Sequence, residues 1–135
     1  MNPPDHIQFL SPETLAPPPG YSQIVRVRGG RTIYIAGQVA LDASGNLVGQ
    51  DDFRAQAQQV FENIKTALAA VGADFSHVVK LNIYLLDHTQ LPLLREVRDR
   101  YVNTGAPPAS TLVEVRCLAR DEFLLEIEAI ASLPA

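Results

Sequence analysis

A single cysteine, Cys117, excludes an intrachain disulfide and any cysteine-rich metal site. It follows Val113 and Val115 in an alternating stretch, so it reads as a small buried hydrophobe, with a reactive thiol as the alternative. Long apolar runs are also lacking, and none approaches the roughly 20 residues that a membrane-spanning helix needs. Basic charge is scarce and scattered: 11 Lys and Arg stand against 15 Asp and Glu, for a net charge of -4. That balance gives no footprint for nucleic acid, and no nucleic-acid or membrane partner is expected. There is no phosphate-binding glycine loop, because Val27-Arg28-Gly29-Gly30-Arg31 lies between strand-like stretches with no helix after it. His6, His77 and His88 are isolated from one another and read as loop or surface residues, so no metal site is expected. Asp51-Asp52 is explained by helix capping, and no serine stands in a nucleophile elbow. The first residues, Asn2-Pro3-Pro4-Asp5 after the methionine, do not resemble a secretory signal, which makes the cytoplasm the expected compartment.

What is present is one domain's worth of chain, 135 residues and about half apolar, able to bury a core. Six of the ten prolines fall before Gly20, which forbids helix or inner strand there. Residues 1–17 are expected to be an extended lead-in and 18–135 the single domain. Tyr21 to Val27 reads as a strand, Gly29-Gly30 as a tight turn, and Arg31 to Ala40 as a second strand. Thr32, Tyr34, Ala36 and Gln38 share one face of that strand; Gly37 within it suggests a bulge or a close backbone approach. Asp51 or Asp52 caps a long helix whose apolar residues, from Phe53 through Phe61 and Ile64 to Val71, recur at helical spacing, and Gly72 stops it. Val78 to Leu86 is a third strand, and Gln90 to Val102 a second helix with Leu93, Leu94, Val97 and Tyr101 as its apolar stripe. Arg95, Arg98 and Arg100 on it read first as a solvated face, with one arginine able to reach an interface pocket.

Two closing strands, around Ser110–Leu118 and Phe123–Ala131, are expected to pair as a hairpin. Val113, Val115 and Cys117 share a face of the first, opposed by Leu112, Glu114 and Arg116. In the second, Leu125, Ile127 and Ala129 oppose Leu124, Glu126 and Glu128. Two helices cover only one side of such a sheet, so the charged side, with Leu112, Leu118 and Leu124, is expected to meet another copy of the chain. Glu126 has the strongest case for chemistry, as a proton carrier or a holder for water. An interface salt bridge, for example with Arg116 across the hairpin, explains the same carboxylate without catalysis.

At these residues the sequence resembles the RidA family, also called YjgF/UK114, of small enamine/imine deaminases. The matching pieces are Pro19-Gly20-Tyr21-Ser22-Gln23, Ile35-Ala36-Gly37-Gln38, Phe61-Glu62-Asn63-Ile64, Pro107-Pro108-Ala109-Ser110-Thr111 and Glu126-Ile127-Glu128-Ala129. The resemblance implies a chorismate-mutase-like α+β subunit, a mixed β-sheet with two helices on one face. It also implies a homotrimer with small-ligand clefts between subunits, and chemistry without a cofactor. Carried over by position, Tyr21 falls at the site tyrosine and Glu126 at the water-positioning glutamate. Ser110, Ala36, Gln38, Leu112 and Arg95 fall at or beside substrate-contacting positions. Where the deaminases carry an arginine that grips the substrate carboxylate, this chain has Ser110; the family serine before the Gly-Gln pair is Ala36.

A serine hydroxyl supplies neither the charge nor the planar fork of a guanidinium. A replacement grip would come from Arg95, Arg98 or Arg116. The expected function is hydrolysis of a small enamine or imine with release of ammonia and an altered substrate range. The alternatives are a non-catalytic small-molecule-binding or regulatory trimer, and a catabolic hydrolase of amide or carbamate bonds.

Overall fold

Period-two alternation along the last strand sets the layers of the molecule. The computed structural model describes all 135 residues. It contains β1 (Ile7–Leu10), β2 (Ile24–Val27), β3 (Arg31–Gln38), α1 (Phe53–Ala70), β4 (Val78–Leu85), α2 (Leu91–Arg98), β5 (Ala109–Glu114) and β6 (Leu125–Leu133). The main sheet has the order β3-β6-β4-β5, while β1 and β2 form a separate antiparallel pair. β6 runs antiparallel to both neighbours, and β5 runs parallel to β4. A parallel pair needs a crossover, and α2 supplies it. Leu125, Ile127, Ala129 and Ala131 of β6, with Leu81, Ile83 and Leu85 of β4, point into one core against Phe61, Ile64 and Leu68 of α1 and Leu94 and Val97 of α2. Both helices thus cover one side of a mixed sheet. No helix is long and apolar enough to cross a membrane.

α1 starts where the Asp52 carboxylate accepts the Ala55 N–H at 3.1 Å, and the chain leaves it through Gly72 at φ +76°. Its buried face includes one polar residue, Gln56, which is fully enclosed. The Gln56 amide donates to the carbonyls of Gly49 and Glu122 at 3.0 and 2.9 Å and accepts from the Leu124 N–H at 2.9 Å. It therefore fastens both the entry to α1 and the entry to β6 onto the helix.

Several expectations are corrected. The closing strands are not a hairpin, because β4 lies between β5 and β6. Arg116 is consequently not across from Glu126; it is exposed and makes no ion pair. β5 ends at Glu114, so the alternation beyond it is not strand. Its parallel register pairs Ser110 with Leu81 and Leu112 with Ile83, which turns Ser110 and Leu112 toward the helices and leaves Val113 exposed. Cys117 is exposed, not buried. Leu112 and Leu124 pack against the core, so they do not lie bare on the open side; Tyr34, 79% exposed, stands out there instead. The strand expected from Tyr21 begins only at Ile24, and it pairs with β1 inside the lead-in. The prolines flanking Ile7–Leu10 forbid an inner strand, but an edge pair needs no more than that gap. α2 closes at Arg98, short of Val102.

The structure also gathers residues that are distant in sequence: His88 Nδ1 lies 2.9 Å from Glu114, which accepts the His88 N–H as well, with Asp87 alongside. The contacts with Glu114 raise the imidazole pKa, and the His88 N–H followed by its ring lowers that of Glu114. Stability from the pair is therefore full above the ordinary glutamate value and below the ordinary histidine value. It falls as pH rises through the His88 value and as pH drops through the Glu114 value.

Two outcomes are expected. Gln56→Leu strands three backbone groups and should cost about 3 kcal/mol in urea unfolding; a loss below about 1 kcal/mol would contradict the fastening role. In an NMR titration His88 should titrate above ordinary histidine, and Glu114→Gln should bring it down.

Candidate functional site

Pro107 and Pro108 have no N–H, so only their carbonyls can tie this loop to its neighbours. Ser22 takes both: its hydroxyl donates to Pro107 O at 2.6 Å and its N–H to Pro108 O at 3.1 Å. The adjacent bridge between Ser22 and Ala109 lays the segment after Gly20 beside the start of β5. Tyr21 is thereby placed next to Ser110. Between them and α2 lies a cleft of about 280 Å³. Its polar lining is Tyr21, Ser110, Arg95 and Arg98, and its apolar lining is Pro19, Ile83, Leu91 and Leu112.

Arg98 was expected on a solvated face, yet it is 7% exposed. Its Nε donates to Asp99 at 2.9 Å. Its terminal nitrogens occupy the space that a Cβ at residue 20 would take, and Gly20 also holds φ +86°. The positive φ favours glycine at that point, and a side chain there would displace the guanidinium.

The other half of the candidate chemistry is on the opposite side of the sheet. β6 register sets Glu126 against Tyr84 and Glu128 against Asn82. Glu128 accepts the Tyr84 hydroxyl at 2.8 Å and the Asn82 amide at 3.1 Å. The Glu128 hydrogen bond, then burial, then the charges of Glu128 and Glu126 raise the Tyr84 pKa. Glu126 is half-buried and has no hydrogen-bond or ion-pair partner in its own chain. Its carboxylate fills the space where a side chain at Gly37 would begin. β3 carries a bulge here, three steps from Ile35 to Gln38 against two on β6, which is what brings Gly37 under the carboxylate. The expectation of a bulge or close approach at Gly37 thus holds on both counts.

Of the residues singled out from sequence, Tyr21, Ser110, Leu112 and Arg95 come together in the cleft. Glu126 and Ala36 lie on the open side, where Ala36 lines a hollow of about 390 Å³ with Tyr34, Asn82 and Glu128. Gln38 faces a third groove, between the end of β3 and α1, and Arg116 joins none of these groups. Within one chain Ser110 and Glu126 point to opposite faces of one sheet. Sequence reasoning missed Tyr84 and the depth of Arg98; the three-residue step from Arg95 to Arg98, one face of a helix, was the available signal.

A mixed sheet with two helices on one face, an unpaired carboxylate on the other and a polar cleft at the sheet edge defines a RidA-like α+β protein. The family model described as Endoribonuclease L-PSP matches residues 12–133. Protein DfrA of Myxococcus xanthus is 44% identical over 121 residues, covering 90% of this chain and 88% of that protein. A 2-iminobutanoate/2-iminopropanoate deaminase of Mus musculus is 39% identical over 111 residues, covering 82% and 79%. Among solved structures, the Yersinia pestis protein YyfB, described as a protein of unknown function of the conserved Rid family, superposes with a TM-score of 0.83 at 40% identity over 95% of this chain and 99% of its own. The chain belongs to the RidA/YjgF/UK114 family.

Gly37→Ala should leave the chain folded, with a cost below about 1 kcal/mol, since the group in the way is the far end of a flexible side chain. It should displace the Glu126 carboxylate, read as a changed 13C carboxyl resonance. An unmoved resonance would show that the close approach does not seat Glu126.

Proposed function

We propose that this protein hydrolyses a small enamine or imine to a carbonyl compound and ammonia, in a site that two copies of the chain build together. The observation that carries this reading is the placement of Ser110 and Glu126 on opposite faces of one sheet. No motion of a side chain brings them together in a single copy. A closed ring of three copies, in which the open face of one meets the cleft edge of the next, does so three times. The exposed Tyr34 and Val113 would be covered at such contacts.

In this reading Glu126 accepts a proton from water as the water oxygen bonds to the imine carbon. The nitrogen takes a proton, the carbon–nitrogen bond breaks, ammonia leaves and a carbonyl remains. The overall balance is imine plus water to carbonyl plus ammonia. An enamine first takes a proton on carbon to reach the imine. Tyr21 supplies a hydroxyl to orient the substrate, and the bulge at Gly37 keeps Glu126 free to hold water. An open, polar cleft with basic groups at Ser110 favours an enzyme over a purely structural trimer. The mouse relative is named for deamination of two 2-imino acids. The family description names an RNA-cleaving activity, but a net charge of -4 and the carboxylates of Glu126 and Glu128 on the open face give a phosphate backbone no basic track to follow.

Glu126→Gln should lower ammonia release from freshly generated 2-imino acids by about 100-fold or more, and full retention would remove the proposed role. Sharing of the site is tested by complementation. Co-expressed Glu126→Gln and Ser110→Trp chains, each inactive alone, should regain part of the activity as mixed trimers. Mixed trimers that stay silent would place both residues in one copy's function or in none.

A further inference from the structure

The cleft beside Ser110 contains a cation that the chain itself only half satisfies. Arg98 is 93% enclosed, and a buried guanidinium ordinarily has its donors paired. Asp99 takes only the Nε edge. The terminal nitrogens have no acceptor in the chain, and no fully enclosed side-chain polar atom lacks a partner, so they open on the cleft that Arg98 lines. Arg95, one turn earlier on the same face of α2, lines the same cleft and makes no ion pair; the neighbouring Glu96 is turned away onto Arg54 at 3.0 Å. No carboxylate lines the cleft, and Asp99 is the one acid in contact with either guanidinium.

We propose that Arg98, with Arg95, is the carboxylate grip of this site, carried on α2 in place of β5. The free edge of Arg98 presents two donors to one planar carboxylate, and Arg95 adds a charge that no residue of the chain offsets. Asp99 holds the Nε edge of Arg98 and leaves its terminal nitrogens, with Arg95, to an incoming acid group. Ile83, Leu91 and Leu112 complete the cleft with aliphatic surface. The substrate class is a 2-imino acid with an aliphatic side chain. Ser110, shorter than an arginine, leaves that side chain its space. Gly20 is part of the device, since any larger residue would push the guanidinium out of position.

This assignment rests on the hydrolase reading only for the identity of the reacting group, and the grip is tested without turnover. The probes are 4-methyl-2-oxopentanoate and its neutral amide, titrated into the assembled protein by calorimetry. The unsubstituted protein and Glu126→Gln should both bind the acid at least about tenfold more tightly than the amide. Arg98→Gln and Arg95→Gln should each reduce that preference several-fold. Equal binding of acid and amide, or an undiminished preference in both arginine variants, overturns the proposal. If Arg98→Gln does not fold, the unsubstituted protein decides: the Nε–H resonances of Arg98 and Arg95 should shift with the acid and not with the amide, and resonances unmoved at saturation overturn it. A preference for the acid alongside unchanged ammonia release in Glu126→Gln would retain the grip and remove the hydrolytic role; the reverse pair of results would do the opposite.

Discussion

Strand alternation on β6, held between antiparallel neighbours on both edges, is the constraint from which the rest of the molecule follows. Leu125, Ile127, Ala129 and Ala131 go to the helical side and seal the core. Glu126 and Glu128 must then go to the other side, where a carboxylate can meet water or a second chain. A slip of one residue would place two carboxylates in the core and expose the aliphatics, so the register is strongly specified. The fully enclosed Gln56 protects it by fixing the backbone just before β6 begins.

The same constraint divides the chemistry. β4 is the hinge of that division: its helical side pairs Leu81 and Ile83 with Ser110 and Leu112, while its open side pairs Tyr84 with Glu126. Within the single chain one charged group on each side is left unsatisfied. Glu126 has no partner, and the end of Arg98 has no acceptor. Both are made possible by glycines, Gly37 and Gly20, each standing where a side chain would collide with the charged group.

Much of the fold was legible because burial imposes a period. The apolar residues of α1 repeat at helical spacing and those of β6 at every second position, and both elements stand where those periods place them. The inner faces of β3 and β4 follow the same rule. Reading failed at β5, an edge strand whose one buried face is short. There Val113 and Val115 suggested one face, and the parallel register chose the other. It failed again at Ile7–Leu10, because a four-residue edge strand between prolines has too little pattern to announce itself.

The order of apolar and polar residues, by itself, determined the helices and the inner strands, since each depends on local spacing along the chain; the family resemblance came from particular short runs such as Pro19-Gly20-Tyr21-Ser22-Gln23. Only the tertiary structure decided that β4 separates β5 from β6, that Ser110 and Glu126 face apart, and that Arg98 enters the cleft. Those outcomes depend on which strands become neighbours, and pairing between residues distant in sequence leaves no period for a linear reading to find.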